Sequence, residues 1–281
     1  MAAGVILATA AAFPAQEAAP PAAAAPDPAA RDAPPLEEII ERMLERAERQ
    51  DENESELRYE SRIVSTSDRL DEEGAVTETE TREYRRYPLE GELYEELILR
   101  DGQPLDAGQQ RDEREKRAEF IREARERARE GGGRAETNDE RQVRLGPELL
   151  GRYEASIVGV ETIAGEPCWA IAFTPRAGRL PEKTRIDKAL NRSSGTMYVA
   201  QSDYGVARVE FRMDSPVRYL LGLATLNEAV GSLEFERVEP DVWLPKLYNF
   251  RMELRIFFST RRQRVVREWV ERQLLDGEPA L

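Results

Sequence analysis

The chain has 281 residues, with 41 basic against 55 acidic for a formal charge of −14, no histidine, and a single cysteine, Cys168. That composition removes Ser-His-Asp and Cys-His nucleophilic sites, histidine bases near neutral pH, zinc sites built on His or Cys, and any intramolecular disulfide. The acidic balance, with no basic stripe interleaved with aromatics, speaks against a nucleic-acid partner.

Residues 1–14 open with a short apolar, small-residue-rich run (Val5, Ile6, Leu7, then alanines) that reads as a secretory signal, although no Lys or Arg precedes it. The run is too short to span a bilayer, which takes about 20 residues. No cysteine follows it, so the expected product is a soluble, exported, periplasmic protein. Residues 15–35 are dominated by alanine and proline and read as a semi-extended tether.

Leu36–Gln50 carries Leu36, Ile39, Ile40, Met43, Leu44 and Ala47 at three- and four-residue spacing, which predicts an amphipathic helix that must bury one stripe. From Leu57 the period changes to two. Strands around Leu57–Ile63, Val76–Tyr87 and Leu93–Arg100, separated by short turns, predict an antiparallel meander. Arg111–Glu130 then packs 15 charged residues into 20, with acid-before-base pairs such as Glu113/Arg117 and Glu123/Arg127. Gly131-Gly132-Gly133 ends it, so residues 111–133 read as a charged helical insertion: a solvated face, or a lid or docking arm.

The sheet resumes at Tyr153–Ile163 and Cys168–Thr174. Trp169, Ile171 and Phe173 share one face there, and the small residues Cys168, Ala170 and Ala172 the other, which suits a closely packed neighbour. Cys168 reads as a small buried hydrophobe. Residues 176–191 form a polar crossing, and Val265–Leu275 fits either a last strand or a short helix. The expected domain spans residues 36–275, with a tail at 276–281.

The cleanest alternation lies between Gly195 and Phe258. Ala207, Val209, Phe211 and Met213 are expected on one side of a strand. Tyr248, Phe250, Met252, Leu254, Ile256 and Phe258 are expected on one side of another. One apolar face implies a sheet wet on one side and covered on the other, by the protein's own helix or by a ligand. The predicted fold class is mainly β with some helix: a curved antiparallel sheet or half-open barrel of about nine to eleven strands.

The order of these features resembles the LolA/LolB-like superfamily of outer-membrane lipoprotein-sorting proteins. The features are an amphipathic helix, a meander, Phe173-Thr174-Pro175 after the Gly165 hairpin, Gly195-Thr196-Met197-Tyr198-Val199, Asp203-Tyr204, Gly231-Ser232-Leu233 and Val242-Trp243-Leu244-Pro245. The resemblance implies a half-open barrel around helices with an apolar cavity for acyl chains. It implies lipid or lipoprotein acyl chains as cargo, or a membrane-protein partner for a sensing relative. No binding residue carries over from it.

The leading reading is a periplasmic carrier, not an enzyme, with no cofactor and no metal, and monomeric. Phe211, Phe235, Phe250 and Leu254 are expected to border an apolar cavity, with Leu220, Leu221 and Leu223 near its mouth. The alternative is an envelope sensor or regulatory interaction module of the same fold.

Overall fold

The computed structural model describes residues 33–52, 55–130, 146–240 and 242–275. The signal-like segment, most of the tether, the Gly131-Gly132-Gly133 run and the 276–281 tail lie outside the described residues. Helix α1 (Leu36–Glu52) starts where Pro35 offers its carbonyl to the amides of Glu38 and Ile39. A 3-10 turn at Ser55–Arg58 buries Leu57 and leads into β1 (Tyr59–Leu70), β2 (Val76–Leu89), β3 (Glu92–Arg100) and the short β4 (Gln103–Pro104). After helix α2 (Ala107–Arg129) and a single turn α3 (Pro147–Leu150) come β5 (Tyr153–Ile163) and β6 (Glu166–Pro175). Helix α4 (Arg185–Leu190) precedes β7 (Ser193–Ala200), β8 (Val206–Met213) and β9 (Val217–Tyr219). Three long strands follow: β10 (Ala224–Glu239), β11 (Val242–Ile256) and β12 (Ser259–Leu274).

All twelve strands join one antiparallel sheet in the order β4-β3-β2-β1-β12-β11-β10-β8-β7-β6-β5, with β9 on the end of β10. The sheet does not close into a barrel. Pairing of β1 with β12 sews the first meander to the end of the chain, and the amide of Leu275 reaches the carbonyl of Arg58. Residues 265–274 are therefore strand, because β1 pairs along their length and β11 takes the other side of 265–268. Register shifts bend the long strands: three fall between β10 and β11 alone, and each adds local twist.

The expected alternation is broken at two places. A bulge between Tyr198 and Val199 leaves Ala207 without a partner in β7. Ala207 consequently joins Tyr198 and Trp243 on one side, while Val206 and Val209 pack toward α1 on the other. At the end of β11, Ile256 pairs with Ser259, so Phe257 and Phe258 form the turn and Phe258 leaves the apolar face for solvent.

Helix α1 lies on the β6–β7 part of the sheet. Its Ile39 and Met43 are fully buried against Trp169, Ile171, Met197 and Val199, whereas Ile40 and Leu44 are only half-buried. The opposite side of β6 and β7 is filled too: Cys168, Ala170, Tyr198 and Ala200 pack with Ala207, Ile163 and Trp243. The small residues there do accept a close neighbour, the indole of Trp243.

Helix α2 begins on a capping box, the Asp106 carboxylate accepting from the amides of Gly108 and Gln109 while the Asp106 amide donates to Gln109 Oε1. It does not project freely. Phe120 rests on Tyr94 at 4.9 Å, Tyr94 donates to Glu113 at 2.7 Å, and Arg127 and Arg125 pair with Glu92 and Glu90 around the start of β3. Of the two spaced pairs read from the sequence, Glu123–Arg127 forms at 3.8 Å, whereas Glu113 is taken by Tyr94 and Lys116.

Candidate functional site

Strand register builds one row across the sheet in which aromatic residues and glycines alternate. Phe173 stands opposite Gly195, Gly195 opposite Phe211, Phe211 opposite Gly231, and Gly231 opposite Phe250. At each glycine a neighbouring backbone carbonyl and a ring together leave no room for a Cβ. A Cβ on Gly195 would meet the Glu210 carbonyl oxygen at 2.0 Å and the Phe173 ring at 2.7 Å. On Gly231 it would meet the Asn249 carbonyl oxygen at 2.8 Å and the Phe211 ring at 2.9 Å. Glycine inside a strand marks such a close approach.

The next row on the same face runs Ile171, Met197, Val209, Leu233 and Tyr248. Its first two members are buried under Ile39 and Met43, and Val209 packs at the edge of that layer. Farther along, Leu233, Tyr248, Phe211 and Phe250 are half-buried. The Phe250 ring lies 6.2 Å from Phe211 and stacks on Tyr248 at 5.9 Å. Burial pushes the Tyr248 phenol up to about 12, against the opposing pull of Arg267. The helix thus covers one part of an apolar face and leaves an aromatic part partly accessible.

Of the residues expected around a cavity, Phe211 and Phe250 come together. Leu254 sits opposite Leu226, which, like Phe250, packs against the cluster of Met213, Val217 and Ala229. Phe235 is elsewhere, packed against the Trp243 cluster. Leu220 and Leu223 are exposed in the β9–β10 connection, and the side chain of Leu221 lies outside the described residues. Cavities of about 420 and 520 Å³ adjoin that connection, the larger lined by Lys188, Arg218, Leu220, Gly222 and Arg255.

Asp203, in the β7–β8 turn, gathers several groups. It accepts from the Trp243 indole at 3.0 Å and from the Gly205 amide at 2.9 Å, and faces Arg46 of α1 at 3.4 Å and Arg237 at 3.7 Å. Gly205 lies under the indole, where a Cβ would stand 2.1 Å from Nε1. The Asp203-Tyr204 and Trp243 features therefore fasten α1, β11 and the β7–β8 turn together.

Burial pushes the Cys168 thiol up to about 11, and its Sγ lies 3.4 Å from the Glu166 carbonyl oxygen. It is a poor nucleophile there. Among the described residues no group of three or more His, Cys, Asp or Glu is placed to hold a metal ion. No helix among them is long and apolar enough to cross a membrane.

Comparison with known proteins finds no matching family model and no matching curated protein. Solved structures do match. The chain is similar to LolA-superfamily structures. A domain described as an outer membrane lipoprotein-sorting protein from Vibrio parahaemolyticus has 9% identity and a TM-score of 0.36, over 85% of this chain and 94% of that one. A LolA superfamily protein from Nitrosomonas europaea has 13% identity and a TM-score of 0.28, over 85% and 94%. The MucA/MucB complex of Pseudomonas aeruginosa gives 12% identity and a TM-score of 0.24, over 82% and 92%.

The alternating row was not read from the sequence. Its signal was present, since Gly195 and Gly231 both interrupt strands whose neighbours carry phenylalanine, but only the register shows that the rings lie over them.

Proposed function

We propose that the protein is a periplasmic binding protein for an acyl-bearing cargo, a lipid or a lipoprotein, and not an enzyme. The observation that carries this is the half-buried aromatic face of Phe211, Phe250 and Tyr248, continuous with the layer that α1 covers. Such a surface gains from any apolar chain and asks for no specific polar contact. Each methylene removed from water contributes about 0.8 kcal/mol, so ten carbons give about 8 kcal/mol before binding costs, the scale of micromolar affinity. The sequence resemblance to sorting proteins supplies the cargo class.

The test is uptake of a soluble fluorescent fatty acid, below its micelle concentration. Phe250→Asp and Leu254→Asp should each abolish uptake while circular dichroism shows the sheet intact. A wild-type protein that takes up no probe and carries no lipid in native mass spectrometry would remove this reading.

A second reading, an envelope interaction module for a membrane-protein partner, draws on α2. Its outward residues, Arg114, Glu115, Arg117 and Arg122 among them, are exposed and charged, while its inner side is held to β3. A polar face presented on a docked helix suits a protein partner.

A further inference from the structure

We propose that the end of the sheet formed by the β9–β10 connection and the β11–β12 turn docks on anionic membrane lipid. Phe257, Phe258, Leu220 and Leu223 would enter the headgroup layer, and Arg218, Arg255 and Lys188 would hold lipid phosphates. This inference does not depend on the acyl-cargo reading.

The turn is the first observation. A two-residue hairpin connection favours Asn-Gly or a glycine, since it needs positive φ. Here it is Phe257-Phe258. Phe257 adopts φ 53°, a left-handed conformation disfavoured for an aromatic residue. The side chains are not recovering that strain by burial, for Phe257 is 61% and Phe258 104% exposed. The amide of Phe257 binds the Leu223 carbonyl at 2.8 Å, which sets the turn beside a second exposed apolar loop. In that loop Leu220, also at positive φ, is 65% exposed and Leu223 50%.

The charge beside this tip is the second observation. Arg218, Thr225, Arg255 and Thr260 stand in register across β9, β10, β11 and β12. The cavity of about 520 Å³ there is lined by Lys188, Arg218 and Arg255 with Leu220 and Gly222, and by no carboxylate. The adjoining one of about 420 Å³ shares Lys188 and Arg218 and adds Arg192, with Glu182 as its acid. Glu182 stands 4.0 Å from Lys188. Neighbouring acids are already engaged: Glu253 with Arg262 and Asn227, Glu228 with Arg251. In a chain of net charge −14, cations concentrated beside exposed phenylalanine and leucine match an anionic interface, where apolar insertion and headgroup attraction act together.

The experiment is flotation of the full chain with vesicles of phosphatidylglycerol or of phosphatidylcholine, at 50 and 500 mM salt. Binding should appear with phosphatidylglycerol at low salt and be lost at high salt. Phe257→Ser with Phe258→Ser should weaken it at least tenfold. Arg218→Gln with Arg255→Gln should weaken it about thirtyfold, at about 1 kcal/mol per cation. All these residues are at the surface of the tip, and circular dichroism confirms the fold of each variant.

Absence of binding, equal binding to phosphatidylcholine, or variants that bind like wild type would each overturn the proposal. So would sedimentation equilibrium showing a dimer that the phenylalanine variant dissociates, since the tip would then be an interface between copies. Vesicle binding that appears only once residues 1–32 are removed would overturn it for the full chain, by assigning the tip to that segment. Saturable binding of inorganic phosphate without vesicle binding would make the cavity a free-anion site instead.

Discussion

Phe211 and Phe250 approach to 6.2 Å across Gly231, the residue that stands opposite both of them in the β8–β10–β11 ladder. The glycine is what lets two rings on strands separated by a third come together. It also leaves backbone beneath the rings where other positions carry side chains. Gly195 likewise stands opposite both Phe173 and Phe211.

Gly195→Ala and Gly231→Ala should both destabilise the fold, by about 1–3 kcal/mol, the range for forcing a methyl into filled space. Gly195→Ala should cost more, because its nearest obstacle, at 2.0 Å, is the Glu210 backbone carbonyl, which cannot rotate away. Urea denaturation measures both. Wild-type stability in the two variants would show that the rings do not rest on these glycines.

Helix α1 should depend on two residues. Ile39→Ala and Met43→Ala remove side chains that are 0% and 1% exposed and should cost about 2–5 kcal/mol each. Ile40→Ala and Leu44→Ala, at half-buried positions, should cost clearly less. The same denaturation series tests the order. Equal losses at all four positions would mean that the helix buries a broader stripe than Ile39 and Met43 define.

The buried pair of Arg152 and Asp187 predicts a pH dependence. Arg152 Nη2 lies 2.9 Å from Asp187 Oδ1, both residues being nearly inaccessible, and the amides of Lys183 and Thr184 donate to Oδ2 at 2.6 and 2.7 Å. Burial alone would raise the Asp187 carboxyl. The backbone amides of Thr184 and Lys183 and the Arg152 charge outweigh it, so the carboxyl lies below its usual value of 3.8. A depressed carboxyl stabilises the fold above its unfolded value and loses that contribution as pH falls through the folded one. Asp187→Ala should therefore cost about 3–5 kcal/mol near neutrality, since it leaves Arg152 buried with only the exposed Glu148, 3.8 Å away, as counter-ion. The gap to wild type should narrow below about pH 4. A gap that stays constant from pH 7 to pH 2.5 would rule this out.

Local pattern was legible in the sequence wherever period alone decides an element. The helix at Leu36, the hairpins and the charged helix follow from spacing within a single stretch of chain. The misplacements all needed information from a second stretch. Ala207 changes sides because a bulge forms against β7, and Phe235 joins Trp243 rather than Phe250. Phe258 leaves its face because the turn falls two residues earlier than the alternation suggests. The cationic cavity draws on residues from Lys188 to Arg255, a separation at which a basic cluster leaves no local signature.

Helix α2 offers the last prediction, because its attachment is local. It touches the sheet chiefly through β3, an outer strand of the order, by way of Tyr94, Glu92 and Glu90. Only Ala124 of the helix is buried, so little of the apolar core depends on it. Surface ion pairs such as Arg125–Glu90 contribute about 0–1 kcal/mol each. Joining residue 110 to residue 134 should leave a sheet that unfolds in one transition, at a lower midpoint because Tyr94 becomes exposed. Tryptophan fluorescence reports the sheet directly, as Trp169, Trp243 and Trp269 all lie in β6, β11 and β12. A broad or biphasic fluorescence transition in the deletion would instead show that α2 holds the β1–β4 meander in place.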